Sequence, residues 1–399
     1  MAKHRCFKAL QAAVLSCVVV SASTQAKDGL HDPIVEPSWR ASVVPATSAI
    51  PPQFVMLAFD GGMDNDFWQQ SRDFAAANDV KFTYFVSCVY YIADADRKTY
   101  IEPRNGPGKS SIGWGGKPAD IAERLKQTAL AKAEGHEIAS HGCGHFDGGK
   151  YSAEMWTSEF TQFNTIMAEA WKRYGAGTEP VGWSDYFQNQ SYGGFRAPFL
   201  SFNKDALWSS LTRLKFVYDT SAPSRAGDWP KKDGALWEFP LVGLRIAGSR
   251  ASTLSMDYNF YVAQTQAVRG NPKNFQLYED QMFNTYMAYF KASYYGNRAP
   301  LHIGHHFAQW NGGAYWKALQ RFIKDVCNSK AYPDVKCTNY SELADFMNAH
   351  VAELDNYQKG NFASPPTAPT AAVQTESQPL STVELHKTWA IDPVQSHTN

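Results

Sequence analysis

The chain has 399 residues, of which 44% are hydrophobic and 14% aromatic, which is enough to build one large hydrophobic core. Lys and Arg together number 38, as do Asp and Glu, so the formal net charge is zero. Because binding to nucleic acid phosphates needs a clustered positive field, this balance argues against nucleic acid as a partner.

Residues 1–26 have the pattern of an export signal. Positive charge at residues 3–8 precedes an apolar run over residues 9–22, and Thr24-Gln25-Ala26 resembles a small-residue cleavage site. The apolar run is shorter than the ~20 residues that span a bilayer. We therefore predict an exported protein, periplasmic or extracellular, with no stable membrane insertion after cleavage. A retained membrane anchor is the alternative.

Four cysteines remain once this signal is removed. They are Cys88, Cys143, Cys327 and Cys337. An even number in an exported protein allows disulfides, and four cysteines permit three pairings. Closure of Cys327 on Cys337 across a turn is the easiest, and it would leave Cys88 to pair with Cys143.

After an irregular lead-in at residues 27–50, strand and helix patterns alternate along the chain. Strands are predicted at residues 54–59, 82–86, 136–140, 194–198, 216–221, 236–241 and 300–305. Helices are predicted through residues 67–74, 121–129, 152–174, 275–291, 314–326 and 341–355. Repeated βα units imply a parallel sheet, which at this length predicts a closed or nearly closed barrel.

Two segments differ from this alternating pattern. Residues 94–117 contain two prolines, five glycines and Trp114, and are predicted to be a long surface insertion with a functional role. Residues 359–399 are rich in Pro, Ala, Thr, Ser and Gln, and are predicted to be a disordered tail. The barrel would then be a single domain spanning residues 51–358.

Side chains suited to catalysis follow several predicted strands at their carboxyl ends. They are Asp60, His141, His145, Arg196, His305 and His306. In a parallel barrel these strand ends form one face, where catalytic groups gather. His141 and His145 are four residues apart on a glycine-containing loop and can converge on one metal ion, for which imidazole nitrogen is a suitable ligand.

Four segments carry a family resemblance. In chain order they are Ala58-Phe59-Asp60-Gly61-Gly62, His141-Gly142-Cys143-Gly144-His145, Arg196-Ala197-Pro198-Phe199 and Leu301-His302-Ile303-Gly304-His305. They resemble the motifs TFDDG, H-(S/T)-x-x-H, Arg-x-Pro-aromatic and L-x-I-x-H of the polysaccharide deacetylase family (carbohydrate esterase family 4, NodB homology domain). The resemblance covers roughly residues 50–350 and is nearest the chitin-deacetylase-like branch.

The resemblance implies a distorted (β/α) barrel and a metal-dependent hydrolase. Such an enzyme removes acetyl groups from an acetylated polysaccharide, here one of N-acetylglucosamine such as chitin or peptidoglycan. His141 and His145 would hold a divalent metal, expected to be zinc. Asp60 would act as general base, and Arg196 would hold Asp60 in place and keep it ionised.

The same resemblance implies an acid and a substrate pocket. By this resemblance His305 is expected to protonate the leaving amine and Leu301 to line the acetyl pocket, and residues 301, 303 and 305 share one face of their strand. His306 is the reserve candidate for the acid. Three aromatic residues are expected to contact the sugar, namely Trp114, Trp310 and Phe199.

The sequence also departs from the family motifs. Gly61 stands where the family has a metal-binding aspartate, and Gly142 replaces the Ser or Thr of the second motif. Asp64 and Asp66 could substitute as ligands, although an N-cap role explains Asp64 equally well. The fourth motif is not clear, and Asp257 or Trp237 is the candidate for it.

Two other readings remain open because of Gly61. The chain could be a catalytically inactive glycan-binding protein that kept the barrel and lost its metal. It could also be an envelope interaction protein that uses its aromatic loops as an interface. The presence of Asp60, Arg196 and His305 beside both histidines favours catalysis, since a binding module has no need of that set.

Overall fold

The computed structural model describes residues 47–364, which lie within one compact unit of the chain, Val43–Asn399. The predicted export signal, nearly all of the lead-in and most of the predicted tail lie outside these residues. Past the predicted domain end at residue 358, Phe362 is still buried in the core and pairs with Ser48 through an isolated bridge. None of the helices described is long and apolar enough to cross a membrane.

The strands of the described chain are short apart from the first. They are β1 Gln53–Gly61, β2 Thr83–Val86, β3 Ile101–Glu102, β4 Gly106–Pro107, β5 Glu137–Ser140, β6 Gly194–Phe195, β7 Tyr218–Asp219, β8 Ser224–Arg225, β9 Lys231–Asp233, β10 Leu236–Glu238, β11 Val242–Arg245, β12 Ser252–Leu254, β13 Leu301–His306 and β14 Val335–Thr338.

Helices alternate with the strands of the main sheet. They are α1 Asn65–Asn78, α2 Pro118–Ala133, α3 Ala153–Tyr174, α4 Trp183–Gln188, α5 Lys204–Arg213, α6 Asp257–Thr265, α7 Phe275–Tyr294, α8 Trp310–Val326, α9 Tyr340–Ala349 and α10 Leu354–Lys359. Ser152 caps α3, because its side chain accepts a hydrogen bond from the backbone N–H of Met155.

The main sheet has the strand order β13-β1-β2-β5-β6-β7-β10-β9, and it is parallel from β13 to β10. β9 joins β10 in antiparallel orientation. The gap between the two ends of the curled sheet is occupied by a small sheet of order β12-β11-β8, and Met256, just after β12, bridges to Gly304 on β13. The prediction of a distorted (β/α) barrel is confirmed.

Alternation along the strands divides the core into two layers. On β1, Phe54, Met56 and Ala58 point into the barrel, where they pack with residues such as Trp237 and Phe239. The intervening residues of β1, Val55, Leu57 and Phe59, pack outward against the helices. Because successive side chains of a strand face opposite ways, Asp60 belongs to the interior face and emerges at its carboxyl end.

Both predicted disulfides are confirmed. Cys327 pairs with Cys337, and Cys88 pairs with Cys143. The second bond ties the segment after β2 to the loop that carries His141 and His145, across a sequence separation of 55. Closing a loop of this length restricts the unfolded chain and is worth about 4 kcal/mol in the loop-entropy model.

His302 is a buried histidine inside the barrel. Its ring packs beside those of Tyr340 and Phe239, with centroids 5.6 and 5.9 Å away, and neither ring nitrogen has a hydrogen-bond partner among residues 47–364. Burial, together with the positive charge of Arg196, lowers the pKa of His302 to about 3. The folded protein therefore holds this imidazole neutral under conditions where the unfolded chain would protonate it.

Replacing His302 with Phe is therefore expected to stabilise the protein in acid. The unfolded chain binds this proton near pH 6.5 and the folded chain only near pH 3, so the parent loses about 1.4 kcal/mol per pH unit between them as pH falls. The variant's free energy of unfolding minus the parent's should therefore depend on pH. This difference should be about 2 kcal/mol larger at about pH 5 than at about pH 7.5. Urea unfolding at both pH values measures this, and an equal pH dependence of the two proteins would contradict it.

Candidate active site

Asp60 and Arg196 form a buried ion pair at the carboxyl ends of β1 and β6. The Arg196 Nη1 donates to Asp60 Oδ1 at 2.7 Å, and Nε donates to Thr220 Oγ1 at 2.7 Å. The guanidinium also lies over the ring of Phe85, 4.5 Å from its centroid. Burial opposes the charge of Arg196, but Asp60 and nearby tyrosine hydroxyls together raise the pKa of Arg196. Arg196 therefore stays charged and fixes the orientation of Asp60, as predicted from the sequence.

His306, rather than His305, lies beside Asp60. In the parallel register Asp60 pairs with His306 and Phe59 pairs with His305, so His306 shares the interior face of the barrel. The ring of His305 packs outward, with centroids 5.9 Å from Phe59 and 6.1 Å from Tyr286. The expectation that His305 is the acid facing the substrate is corrected, because the face shared by residues 301, 303 and 305 is the outer one.

Asp257 holds His306 in place from the first turn of α6. Its Oδ1 accepts from His306 Nδ1 at 2.7 Å, and its Oδ2 accepts from the backbone N–H of His306 at 2.9 Å. Burial raises the pKa of Asp257, but the charges of His306 and His305 and the hydrogen bonds from His306 outweigh it and leave that pKa below its usual value. An ionised Asp257 assigns the Nδ1 proton of His306 to this bond, and the ring of His306 lines the cleft. Of the two candidates for the fourth motif, Asp257 is at the site, while Trp237 is in the barrel core.

His141 and His145 lie side by side on the histidine loop, which we define as residues 141–145. Their ring centroids are 5.0 Å apart, and His141 Nδ1 is 2.7 Å from the carbonyl oxygen of Arg196. Burial lowers the pKa of His141 to about 3 and also lowers that of His145, to which His141 and His306 contribute. Both imidazoles are therefore neutral near pH 7, which is the form that ligates metal.

The donor set fits a divalent metal in kind but not in number. A catalytic zinc site uses three protein ligands, whereas residues 47–364 contain no group of three or more His, Cys, Asp or Glu side chains placed to hold one ion. Gly61 leaves the site without the expected carboxylate. Asp64 does not replace it, because this exposed side chain caps α1 by accepting from the Phe67 N–H at 2.9 Å. Asp66 is likewise exposed, in the first turn of α1.

An open cleft of about 400 Å³ brings the candidate groups together. Its polar wall consists of Asp60, His141, His306 and Asn259. Its apolar wall consists of Ala197, Phe199, Leu200, Leu254, Met256 and Tyr258. With the carboxylate of Asp60 paired to Arg196, the cleft suits an uncharged substrate that carries a small apolar group.

The predicted substrate contacts are only partly at this cleft. Phe199 lines it, has a left-handed backbone with φ 58°, and its ring centroid is 4.8 Å from that of His145. Trp310 borders it, with its ring centroid 5.3 Å from that of His306. Leu301 is corrected to a core residue, since it is fully buried on the outer face at the opposite end of β13. Trp114 is corrected too, because it packs towards Tyr100 and does not line the cleft.

Sequence reasoning missed the residues that the end of β12 and the start of α6 bring to the cleft, namely Leu254, Met256, Tyr258 and Asn259. No strand pattern indicated that this segment bridges to β13. It also missed Glu159, whose carboxylate lies under the histidine loop. Its spacing from Trp156, Phe160 and Phe163 places it on the buried stripe of α3, and an acidic residue on such a stripe was the available signal.

Comparison with known proteins agrees with this geometry. Residues 48–216 match the sequence model of the polysaccharide deacetylase family. No match was found among curated proteins.

Solved structures with a similar chain path include three from bacteria. A Mycobacterium smegmatis protein with a provisional polysaccharide deacetylase assignment is 17% identical, with a TM-score of 0.46, over 82% of this chain and 100% of its own. The peptidoglycan deacetylase PdaC from Bacillus subtilis is 11% identical, with a TM-score of 0.38, over 77% and 97%. A carbohydrate esterase family 4 pseudoenzyme from Bacillus anthracis is 12% identical, with a TM-score of 0.38, over 74% and 66%.

The matched range 48–216 contains Asp60, both histidines of the histidine loop and Arg196, while His306 and Asp257 lie beyond it. Residues 48–216 are therefore similar in sequence to the polysaccharide deacetylase family.

Proposed function

We propose that this protein is a hydrolase acting on a carbon–nitrogen bond, which removes acetyl groups from an acetylated polysaccharide. The substrate class we propose is a polymer of N-acetylglucosamine, such as chitin or peptidoglycan. The observation that carries the proposal is the pairing of Asp60 with His306 across β1 and β13, each held by a hydrogen bond to a second side chain, Arg196 and Asp257 respectively. An acid and a base on adjacent strands of one cleft is the arrangement that amide hydrolysis requires.

In the proposed reaction a water molecule attacks the carbonyl carbon of the acetamido group. Asp60 accepts a proton from that water, and the hydrogen bond from Arg196 holds the carboxylate in place. His306 donates a proton to the leaving nitrogen as the carbon–nitrogen bond breaks, so the products are acetate and a free amine. Asp257 prevents the ring of His306 from rotating. The apolar wall of the cleft would accept the acetyl methyl group.

We propose His141 and His145 as the protein ligands of a divalent metal, with zinc expected. When bound, such an ion supplies Lewis acidity that polarises a carbonyl oxygen. Because residues 47–364 offer two imidazoles and no third donor placed with them, we expect the ion to be held weakly and to exchange.

We further propose that the protein works outside the cytoplasm. The support is the pair of disulfides, since such bonds persist in oxidising compartments such as the periplasm. Polymeric acetylated glycans would then be the partners expected there.

The second candidate is a glycan-binding protein without catalysis, and the observation that favours it is Gly61. Its φ of 103° is a left-handed conformation that strains any other residue, so the backbone there is built for glycine and not for a metal-binding aspartate. In this reading the cleft would bind the sugar and leave the amide intact.

Acetate release from N-acetylated chitooligosaccharides and from peptidoglycan fragments, with and without added zinc, tests the first candidate against the second. We expect acetate from the parent protein and none from a His141→Ala/His145→Ala variant, with elemental analysis showing metal in the parent only when zinc is supplied. Binding of the same glycans without acetate release under any metal condition would contradict catalysis and support the second candidate.

A further inference from the structure

Glu159 is a buried carboxylate that the proposed reaction does not use. It projects from α3 to the underside of the histidine loop, where Oε1 accepts from the backbone N–H groups of Cys143 at 2.7 Å and Gly144 at 3.2 Å. Its second oxygen, Oε2, accepts from the hydroxyl of Tyr100 at 2.7 Å. Burial raises the pKa of Glu159, while the same hydrogen bonds act to lower it.

The 94–117 insertion holds the other side of the histidine loop. Besides Tyr100, it contributes Ser111, whose backbone N–H donates to the carbonyl of Gly144 at 2.9 Å and whose hydroxyl donates to the carbonyl of His145. His145 has a left-handed backbone with φ 53°, a conformation that persists only where surrounding contacts fix it. The insertion therefore hydrogen-bonds to backbone carbonyl groups of the histidine loop.

The glycines of the histidine loop are explained by these contacts. A Cβ on Gly142, where φ is 69°, would lie 3.2 Å from Glu159 Oε1. A Cβ on Gly144 would lie 2.8 Å from the ring and hydroxyl of Tyr100. The Glu159 carboxylate thus occupies the space that the side chain of a Ser or Thr at position 142 would need.

We propose that Glu159 is the positioning residue of the histidine loop, and that Tyr100 of the insertion holds Glu159 in turn. The carboxylate binds two consecutive amides between His141 and His145, so it fixes the path of the chain that sets the separation of the two rings. The role of the insertion is then to support the histidine loop. This differs from the expected role, in which Trp114 of the insertion would stack on a sugar.

Hydrogen exchange of a peptide spanning residues 141–146 tests this inference without reference to catalysis. In Glu159→Leu, which removes both acceptor oxygens, exchange at Cys143 and Gly144 should be about tenfold faster or more. Glu159→Gln keeps one acceptor oxygen and should exchange at an intermediate rate. Tyr100→Phe should also accelerate exchange, and it covers the case in which Glu159→Leu does not fold.

Glu137 provides the matched control. It is equally buried, but it binds Thr83 and Ser341 and does not contact the histidine loop. Glu137→Gln should leave exchange at residues 141–146 at the parent rate. Unchanged exchange in both Glu159→Leu and Tyr100→Phe would overturn the inference, as would equal acceleration by Glu137→Gln and Glu159→Gln.

A kinetic readout extends the test, and this part rests on the proposed function. If acetate release is measurable, kcat should fall about tenfold in Glu159→Leu with KM within about threefold of the parent, and Glu159→Gln should recover part of the loss. If the parent protein releases no acetate but Glu159→Leu still exchanges faster than the parent, the inference stands and only the proposed function is contradicted. Acetate release at the parent kcat in Glu159→Leu would overturn the inference.

Discussion

Asp60→Asn is expected to lower kcat/KM for acetate release by about 10²–10⁴-fold, the contribution typical of a general base. The amide keeps the shape of the side chain and a hydrogen-bond acceptor for Arg196, but it cannot take a proton from water. No other carboxylate lines the cleft among the residues described, so none is placed to substitute for Asp60. The measurement is initial rates of acetate release on the purified variant.

Stability must be measured alongside, because the substitution leaves the charge of Arg196 buried without its counter-ion. Breaking a buried pair of this kind costs about 3–5 kcal/mol. Urea unfolding therefore establishes that the variant is folded at the assay temperature. Asp64→Asn is the matched control, since Asp64 is four residues away and only caps α1. Asp60→Asn at parent activity would remove Asp60 from the mechanism.

His306→Gln and His305→Gln together provide the second large effect, and the two should differ sharply. His306 lines the cleft beside Asp60, so its loss is expected to lower kcat by about 10²–10⁴-fold. His305 faces Phe59 and Tyr286 on the outer side of β13 and approaches the site only through Asp257, whose Oδ2 is 3.6 Å from its Nδ1, so its loss should lower kcat by no more than about tenfold. Adjacent positions on one strand thus control for each other.

The Asp257→Asn variant keeps His306 but removes the carboxylate that orients its ring, so it tests the effect of orientation alone. The amide should let the ring of His306 adopt the wrong tautomer, and kcat should fall by about 10²-fold while KM changes little. An equal loss of activity in the two histidine variants, or a loss only in His305→Gln, would contradict the assignment of His306. Rates of acetate release for all three variants decide the matter.

The sequence alone predicted the alternation of strands and helices and the barrel class, which depend on local patterns and on repeated βα units. It left three disulfide pairings open and favoured the one observed, while the Asp60–Arg196 pair was implied by the family resemblance. The short apolar run that became β1 and the strand ending in two histidines were both recognisable, because hydrophobic runs of strand length are bounded by glycine or polar residues.

Only the tertiary structure decided which face of β13 looks inward. The sequence shows that residues 301, 303 and 305 share a face, but the choice between the barrel interior and the helix layer depends on pairing with β1, where Asp60 is aligned with His306. The same holds for Asp257, since nothing local reveals that the chain after β12 bridges to β13. Long-range register is fixed by packing on both sides of the sheet, and a single strand carries no record of it.

The histidine loop shows both contributions within five residues. The spacing of His141 and His145 was evident from the sequence, and so were the flanking glycines. Why those positions are glycine depends on Glu159 and Tyr100, which approach from a helix and an insertion distant in the chain. The sequence therefore determined which chemical groups this protein can use, because residue types and strand ends are local properties. The tertiary structure decided which of those groups meet, because contacts between distant segments exist only once the barrel has folded.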